Sequence, residues 1–307
     1  MSDLQSLRAR IENNEVKGGS AFGRAVAEVI ALTAEGAVKD GADAVRKMVR
    51  DAAEWGVRTK PSMTSVRVVG QIAVKALDQG REAGGDAVAV AVADAMRGFV
   101  ARSERAIKAL ADSGAQVFRP GAVALIHSYS ESLVNVLQRA ARTIPRLEFR
   151  FTESRPLQES RLLMRALADS DVKMTLYSDA GMAIAAAGAQ MAFVGADAIF
   201  ADGSFANKTG TLSLALLCRH FGIPLYVAAE LSKVHLGPAA EVAMEMRPAA
   251  ELVGDWDLAS TGRVGVVNQF FEPTPADFVT EYATEKGRFK PNEIAAAARA
   301  DRPQGDE

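Results

Sequence analysis

The chain has 307 residues, 49% of them hydrophobic and 24% charged, which is typical of a folded protein with one large domain or two ordinary ones. Its formal net charge of -2 gives no electrostatic reason to expect a nucleic acid or an anionic membrane as a partner. The single cysteine, Cys218, excludes an internal disulfide, and no histidine has metal-ligand spacing with another histidine or cysteine. The N-terminus is too polar for a signal peptide, and no run of about 18 apolar residues appears. We therefore expect a cytoplasmic protein with no membrane span, bound metal or cofactor.

Residues 1–118 are predicted to form an all-helical N-terminal domain. Apolar residues recur at helical spacing in three segments, 20–37, 62–77 and 85–114. Gly18 and Gly19 supply a start signal for the first of these helices. No convincing strand pattern occurs in this half of the chain.

From residue 119 the pattern changes to short apolar runs that alternate with amphipathic segments. The apolar runs are predicted to be strands, at 121–127, 147–153, 172–178, 191–197 and 224–230. The amphipathic segments are predicted to be helices, at 130–143, 157–170 and 209–222. Strands alternating with helices predict βαβ units and a parallel sheet covered on both faces. We therefore expect 119–307 to be an α/β domain that follows the helical one.

Ligands of such sheets bind beyond the carboxyl ends of the strands, and here the predicted strands end in polar residues. Asp197 directly follows an apolar strand, where desolvation raises the pKa of a carboxyl and makes it a candidate acid. The alternative is that Asp197 simply caps a turn or the next helix. Asn207 and Lys208 precede a helical run, and a helix N-terminus with a flanking lysine suits a phosphate. The alternative there is an ordinary N-cap with a solvated lysine.

Two other classes of enzyme fit the sequence poorly. Ser128 is adjacent to His127, but neighbouring strand residues point to opposite faces and no G-x-S-x-G turn is present, so a hydrolase triad is not expected. A dinucleotide-binding dehydrogenase needs G-x-G-x-x-G after the first strand, where this chain has SYSESL, residues 128–133. Cys218 lies within an amphipathic helix and is expected to be buried and inert.

Five segments together resemble one protein family in order and spacing. They are VALIHSYSESLVNVL (123–137), TESRPLQESRLLMRAL (152–167), VGADAIFADGSFANKTGTLSLA (194–215), PLYVAAELSK (224–233) and NQFFEPTPADFVTEYATEKGRFKP (268–291). The family contains the alpha, beta and delta subunits of translation initiation factor 2B, ribose-1,5-bisphosphate isomerase and methylthioribose-1-phosphate isomerase. A weaker resemblance covers EVKGGSAFGRA (15–25) and RTKPSMTSV (58–66), which look most like ribose-1,5-bisphosphate isomerase.

The resemblance implies that the second domain is Rossmann-like and binds a phosphorylated sugar or nucleotide, and that the protein is a homodimer or higher homo-oligomer. In the isomerases an aspartate and a cysteine convert a pentose 1-phosphate from aldose to ketose, and these positions correspond to Asp197 and Ser128. The resemblance places substrate and phosphate contacts at Arg155, Asn207, Lys208 and Lys233. It adds contacts from the first domain at Lys17, Gly18, Gly19 and Lys60, where the two lysines replace arginines of the isomerases.

Ser128 is the main departure from the isomerase pattern. A serine hydroxyl is far less acidic than a thiol, whose pKa is about 8.5, so it does not readily become the base that moves a proton. Lys17 and Lys60 stand where the isomerases have arginine, so the point charge of an ammonium replaces a guanidinium that can bind phosphate through two parallel hydrogen bonds. The sequence therefore supports a sugar-phosphate protein resembling ribose-1,5-bisphosphate isomerase, with altered or lost activity. The alternative is a noncatalytic regulatory or assembly subunit like the initiation factor 2B alpha chain.

Overall fold

A computed structural model of the protein describes residues 3–80, 84–257 and 262–301. The chain forms two compact units, the first ending at Ile107 and the second beginning at Lys108. The domain boundary between residues 118 and 119 stays a prediction. None of the described helices is both long and apolar enough to cross a membrane.

The first unit is built from α-helices. They are α1 (Asp3–Glu12), α2 (Gly19–Gly36), α3 (Ala42–Thr59), α4 (Thr64–Gln79) and α5 (Gly85–Ala115), whose last residues belong to the second unit. Helices α2 and α3 approach closely because Gly56 of α3 has no side chain: a Cβ there would lie 2.7 Å from Cγ1 of Val26. No strand occurs among the described residues of this unit, so the predicted all-helical N-terminal half is confirmed.

A seven-stranded sheet forms the centre of the second unit. Its strands are β1 (Val123–Ile126), β2 (Glu148–Thr152), β3 (Lys173–Tyr177), β4 (Met191–Gly195), β7 (Leu225–Ala228), β10 (Glu281–Thr284) and β11 (Gly287–Phe289). They lie in the order β11-β10-β7-β4-β1-β2-β3, and every neighbouring pair is parallel except β10 with β11. The five predicted strands correspond to β1, β2, β3, β4 and β7. The predicted α/β class with a Rossmann-like parallel sheet is confirmed.

Helices accompany the sheet throughout the second unit. They are α6 (Glu131–Thr143), α7 (Ser160–Ala166), α8 (Met182–Ala186), α9 (Thr211–Phe221), α10 (Ala249–Val253) and α11 (Ile294–Asp301). Two apolar clusters pack against the sheet, and β1 contributes to both: Leu125 lies in one, whereas Ala124 and Ile126 lie in the other. Successive strand residues point to opposite faces, so burial of both faces explains why these strands are continuous apolar runs.

A second sheet was missed by the sequence analysis. It contains β5 (Ala198–Phe200), β6 (Phe205–Lys208), β8 (Val234–His235) and β9 (Phe271–Thr274), in the order β8-β5-β6-β9. The turn between β5 and β6 is held by Asp202, whose Oδ1 accepts hydrogen bonds from the backbone N and the hydroxyl of Ser204 at 2.9 and 2.6 Å. These strands have two to four residues each, and β5, β6 and β8 are buried at every position, so they leave no alternating pattern in the sequence.

Candidate functional site

The site lies at the carboxyl ends of the central strands, where Asp197 is the second residue after β4. The backbone N of Asp197 donates to the carbonyl of Ala206 at 2.9 Å, which fixes the residue between the two sheets. Its side chain keeps some contact with solvent, yet burial raises the pKa of the carboxyl to about 6, against the opposing charges of Lys233 and Lys208. This is the direction expected for a carboxyl at the end of a buried strand. At neutral pH a fraction of Asp197 therefore carries a proton.

Lys208 is fully buried on β6 and forms an ion pair with Glu159. Its Nζ lies 2.5 Å from Glu159 Oε2 and 3.1 Å from the centroid of the Phe270 ring. Burial lowers the pKa of Lys208, while the charges of Glu159 and Asp197 oppose that change. Lys208 precedes α9 as predicted, but it also ends a strand, β6, which pairs with β9 and was not predicted. A charged lysine needs a carboxylate or a ring face nearby in such a position, and it has both.

Glu159 was not singled out in the sequence, although it belongs to the stretch that resembles the family. It immediately precedes α7, where a glutamate is unremarkable as a helix-starting residue. Its Oε2 also lies 3.5 Å from the hydroxyl of Ser128, so one carboxylate oxygen faces both Ser128 and Lys208. No local pattern in the sequence indicates this arrangement, which depends on contacts between distant segments.

Lys233 is the second buried lysine of the site. It lies in the turn Leu231–Lys233 that follows β7, and its side chain has no exposed surface. Its Nζ makes no hydrogen bond to any described residue, and the nearest carboxylate oxygen in an ion pair, Glu230 Oε2, is 4.0 Å away. Lys233 is also the charge that lowers the pKa of Asp197 most. A buried ammonium with unused donors is suited to an oxygen ligand.

His127 is neutral and occupied by structural hydrogen bonds. Its Nε2 is 3.1 Å from the carbonyl of Thr209, which can only accept, so this nitrogen carries the proton. Its Nδ1 therefore accepts from the hydroxyl of Thr152 at 2.6 Å. Burial lowers the pKa of His127, which keeps the ring uncharged. With both ring nitrogens engaged, His127 does not activate Ser128, as expected from its position on the other face.

Ser128 adopts a left-handed backbone conformation, with φ 69°. Its backbone N donates to Ser154 Oγ at 2.8 Å, and Ser154 is itself left-handed with φ 60°. Asp179 accepts from the backbone N of Ser154 at 2.9 Å and of Arg155 at 2.7 Å. Such conformations cost about 1 kcal/mol or more each for non-glycine residues and concentrate at functional sites. This network therefore fixes the backbone at Ser128, whose hydroxyl lies 3.5 Å from Glu159 Oε2.

Asn207 and Arg155 have structural partners in this conformation. The buried Asn207 amide donates to Thr211 Oγ1 at 2.9 Å, and the exposed Arg155 guanidinium donates to the carbonyl of Leu252 at 3.0 Å. At the start of α9, the backbone N–H groups of Gly210 and Leu212 donate to Glu272 Oε1 at 2.7 and 2.9 Å. The protein's own carboxylate thus takes up two N–H groups of the helix start that is predicted to hold a phosphate, and the phosphate contact there stays a prediction.

The remaining predicted contacts lie in the first unit. Lys60 is almost fully buried, donates to Asn14 Oδ1, and has its Nζ 4.6 Å from the centroid of the Phe22 ring. The carbonyl of Gly19 accepts from the Ser65 hydroxyl at 2.7 Å, and Gly18 has φ 85° immediately before α2. Lys17 is exposed. Their roles as substrate contacts stay predictions.

Two other chemical possibilities receive no support from the described residues. Within 3–80, 84–257 and 262–301, no group of three or more His, Cys, Asp or Glu side chains is placed to hold a metal ion. Cys218 is buried in α9, and burial raises the pKa of its thiol to about 12. A thiol with that pKa is not a nucleophile at neutral pH.

The fold and site define a Rossmann-like α/β protein with two buried lysines and two carboxyl groups at its strand ends. The sequence model of the initiation factor 2 subunit family matches residues 15–291, and the chain belongs to this family. It is similar to the ribose 1,5-bisphosphate isomerase of Haloferax volcanii, with 29% identity over 97% of this chain and 92% of the relative.

Two further comparisons represent other branches of the family. The methylthioribose-1-phosphate isomerase of Trichlorobacter lovleyi is 29% identical over 97% of this chain and 91% of its own length. The crystal structure of translation initiation factor eIF-2B from Pyrococcus horikoshii has a TM-score of 0.79 and 28% identity, over 95% of this chain and 98% of that chain.

Proposed function

We propose that this protein binds a phosphorylated pentose at the strand-end site and isomerises an aldose 1-phosphate to the corresponding ketose. The observation that carries the proposal is the group formed by the partly buried Asp197 and the buried Lys208 and Lys233, in a chain similar over nearly its whole length to ribose 1,5-bisphosphate isomerase. The anomeric carbon of such a substrate is blocked by the phosphate, so the ring opens only when an acid protonates its oxygen. Asp197, with a pKa of about 6, is suited to be that acid.

Substrate oxygens find suitable partners around Asp197. Lys233 has unused donors directed at no described residue, and Lys208 and Asn207 supply further donors on β6. Arg155 contacts a phosphate by exchanging its bond to the Leu252 carbonyl for a charge-assisted one. In the first unit, phosphate contacts are assigned to Lys17 and Lys60 and to the backbone at Gly18 and Gly19. Ser128 takes the position of the isomerases' thiol, so activity differs from theirs.

Turnover of ribose 1,5-bisphosphate and methylthioribose 1-phosphate, followed by NMR detection of the ketose carbon, tests the enzymatic proposal. The wild type should form ketose, and the rate of ketose formation should be lower by a factor of about 10²–10⁴ in Asp197→Asn, the loss usual for a general acid. Binding without any turnover would refute catalysis but leave a sugar-phosphate binding protein. No binding of either compound would refute the proposal altogether.

The second candidate is a noncatalytic regulatory or assembly subunit, favoured by Ser128 and by similarity to the Pyrococcus horikoshii initiation factor structure. In that role the same pocket senses a sugar phosphate or nucleotide. Affinity capture of the full chain from its own cells separates the two: a stoichiometric hetero-oligomer, unaffected by Asp197→Ala, supports the subunit. A homodimer or larger homo-oligomer in light scattering, with turnover, supports the isomerase.

A further inference from the structure

We propose that Glu159 is the base that moves the proton between C1 and C2 of the substrate, the step for which Ser128 is chemically unsuited. This inference rests on the proposed isomerase function and adds a residue to it. Glu159 is the carboxylate that the strand-end loops place 3.5 Å from the Ser128 hydroxyl. The adjacent His127 is not available as a base, because both of its ring nitrogens are engaged in hydrogen bonds. The base is therefore sought among carboxylates.

The position of Glu159 meets the requirements of a base that is held in place and remains accessible. Both of its side-chain contacts use Oε2, which faces Lys208 Nζ at 2.5 Å and Ser128 Oγ at 3.5 Å. Among the described residues Oε1 receives no hydrogen bond. The side chain is 15% exposed, whereas that of Lys208 is 1% exposed, so the lysine anchors the carboxylate from the buried side. One oxygen is thus restrained and the other is available.

Ser128 orients this carboxylate but does not replace it. A glutamate cannot remove the proton of a serine hydroxyl to a useful extent, because the hydroxyl is many pH units less acidic than a carboxylic acid. The hydroxyl instead donates toward Glu159, and the hydrogen bond from the Ser128 backbone N to Ser154 Oγ, at 2.8 Å, fixes the backbone from which it does so. Ser128 is therefore a positioning residue.

Asp197 and Glu159 occupy contrasting environments, as the acid and base of one reaction should. Burial favours the protonated form of Asp197, and the negative charge of Glu159 adds to that effect. Glu159 instead forms a direct ion pair with Lys208. Two carboxyl groups in different surroundings commonly divide the acid and base roles between them. In the proposed reaction Asp197 is the acid, and the carboxyl group paired with Lys208 is the base.

The steps balance with these two groups alone. Asp197 gives its proton to the ring oxygen as the bond from C1 to that oxygen breaks, leaving an oxocarbenium ion at C1. The Glu159 carboxylate then takes the proton from C2, and the C2–H electrons form the C1–C2 double bond. Glu159 returns the proton to C1, while the Asp197 carboxylate takes the proton of the C2 hydroxyl and the ketone forms. Both residues end in their starting states.

Matched variants and a solvent-exchange readout test this assignment. Glu159→Gln keeps the shape and a hydrogen-bond acceptor but removes the base, so kcat should fall by about 10²–10⁴. Its affinity for ribose 1,5-bisphosphate by calorimetry should stay within about fivefold of the wild type, since binding by the lysines remains. Ser128→Ala and Ser128→Cys, which alter the positioning hydroxyl, should each lower kcat by up to about tenfold, well short of the loss in Glu159→Gln. Glu281→Gln, which alters only an ion-pair cluster with Arg288 and Lys290, is the control.

Turnover in D₂O adds a readout that a structural role would not change. The wild type should incorporate deuterium at C1 of the ketose, because a proton held on Glu159 exchanges with solvent, and Glu159→Gln should abolish this incorporation together with turnover. Glu159→Asp, which keeps a carboxylate, should restore exchange partly even if Glu159→Gln folds poorly.

Four results would overturn the assignment. Wild-type kcat in Glu159→Gln with lost activity in Ser128→Ala would make Ser128 the base. Transfer from C2 to C1 without deuterium incorporation would point to hydride transfer and against Glu159. If the wild type binds the substrate but does not turn it over, the assignment of Glu159 as a base is refuted while the binding site stands. If the wild type does not bind the substrate, the proposed function is refuted as well.

Discussion

Replacing Asp197 by Asn should make the protein more stable at neutral pH while removing its activity. The fold raises the pKa of Asp197 from 3.8 to about 6, so the native state holds this proton more tightly than the unfolded chain does. Stability contributed by the protonated group is therefore lost as pH rises from about 4 to about 6. At about 1.36 kcal/mol per pH unit the full loss is about 3 kcal/mol, which the remaining solvent contact reduces to about 2 kcal/mol. Asparagine resembles the protonated form and avoids this loss.

Urea unfolding of both proteins at pH 4 and pH 7.5 measures the effect. The free energies of unfolding should agree within about 0.5 kcal/mol at pH 4, and Asp197→Asn should be more stable by about 2 kcal/mol at pH 7.5. Other titrating groups are present in both proteins, so they cancel in the difference. A difference that does not change with pH, or a variant that is less stable at pH 7.5, would show that Asp197 is not the desolvated acid described above.

Three further predictions concern the surroundings of the site. Glu272→Ala should lower the free energy of unfolding in urea by about 2 kcal/mol, because it removes the two hydrogen bonds from the N–H groups of Gly210 and Leu212. Glu272→Gln should lower the free energy of unfolding by about half as much. Gly210→Ala should cost about 2–4 kcal/mol in the same assay, because φ is 106° and the new Cβ would lie 2.8 Å from His127 Nε2; an unchanged midpoint would contradict this geometry. Cys218, with a pKa of about 12, should resist iodoacetamide in the native protein and react in urea, as mass spectrometry would show; labelling of the folded protein would refute its burial.

The sequence predicted the central sheet well because its strands are buried on both faces. The apolar run around Ile126 and the run around Val194 each end in polar residues, and these ends coincide with the ends of β1 and β4. Asp197 was therefore placed correctly after its strand. The short strands of the second sheet were not predictable in this way, so Lys208 was expected only to precede a helix and not to end a strand.

The partners within the site could not be predicted, because they come from segments distant in sequence. Glu159 precedes a short helix and resembles any glutamate there, and only the fold brings its carboxylate to Lys208. Likewise Glu272 reaches the start of α9 from β9, and its carboxylate accepts from two N–H groups that the sequence left available to a phosphate. Sequence patterns report local burial, whereas ion pairs between distant segments depend on the tertiary structure.

The central claim is that the buried lysines at the strand ends bind a phosphorylated pentose. Isothermal titration calorimetry with ribose 1,5-bisphosphate tests it most directly, comparing the wild type with Lys233→Met, which keeps the length of a side chain that has no hydrogen bond to a described residue. We predict saturable binding to one site per chain, weakened by at least about tenfold in Lys233→Met, the loss of a charge-assisted contact. Equal affinity in the two proteins, or no heat of binding in either, would contradict the claim.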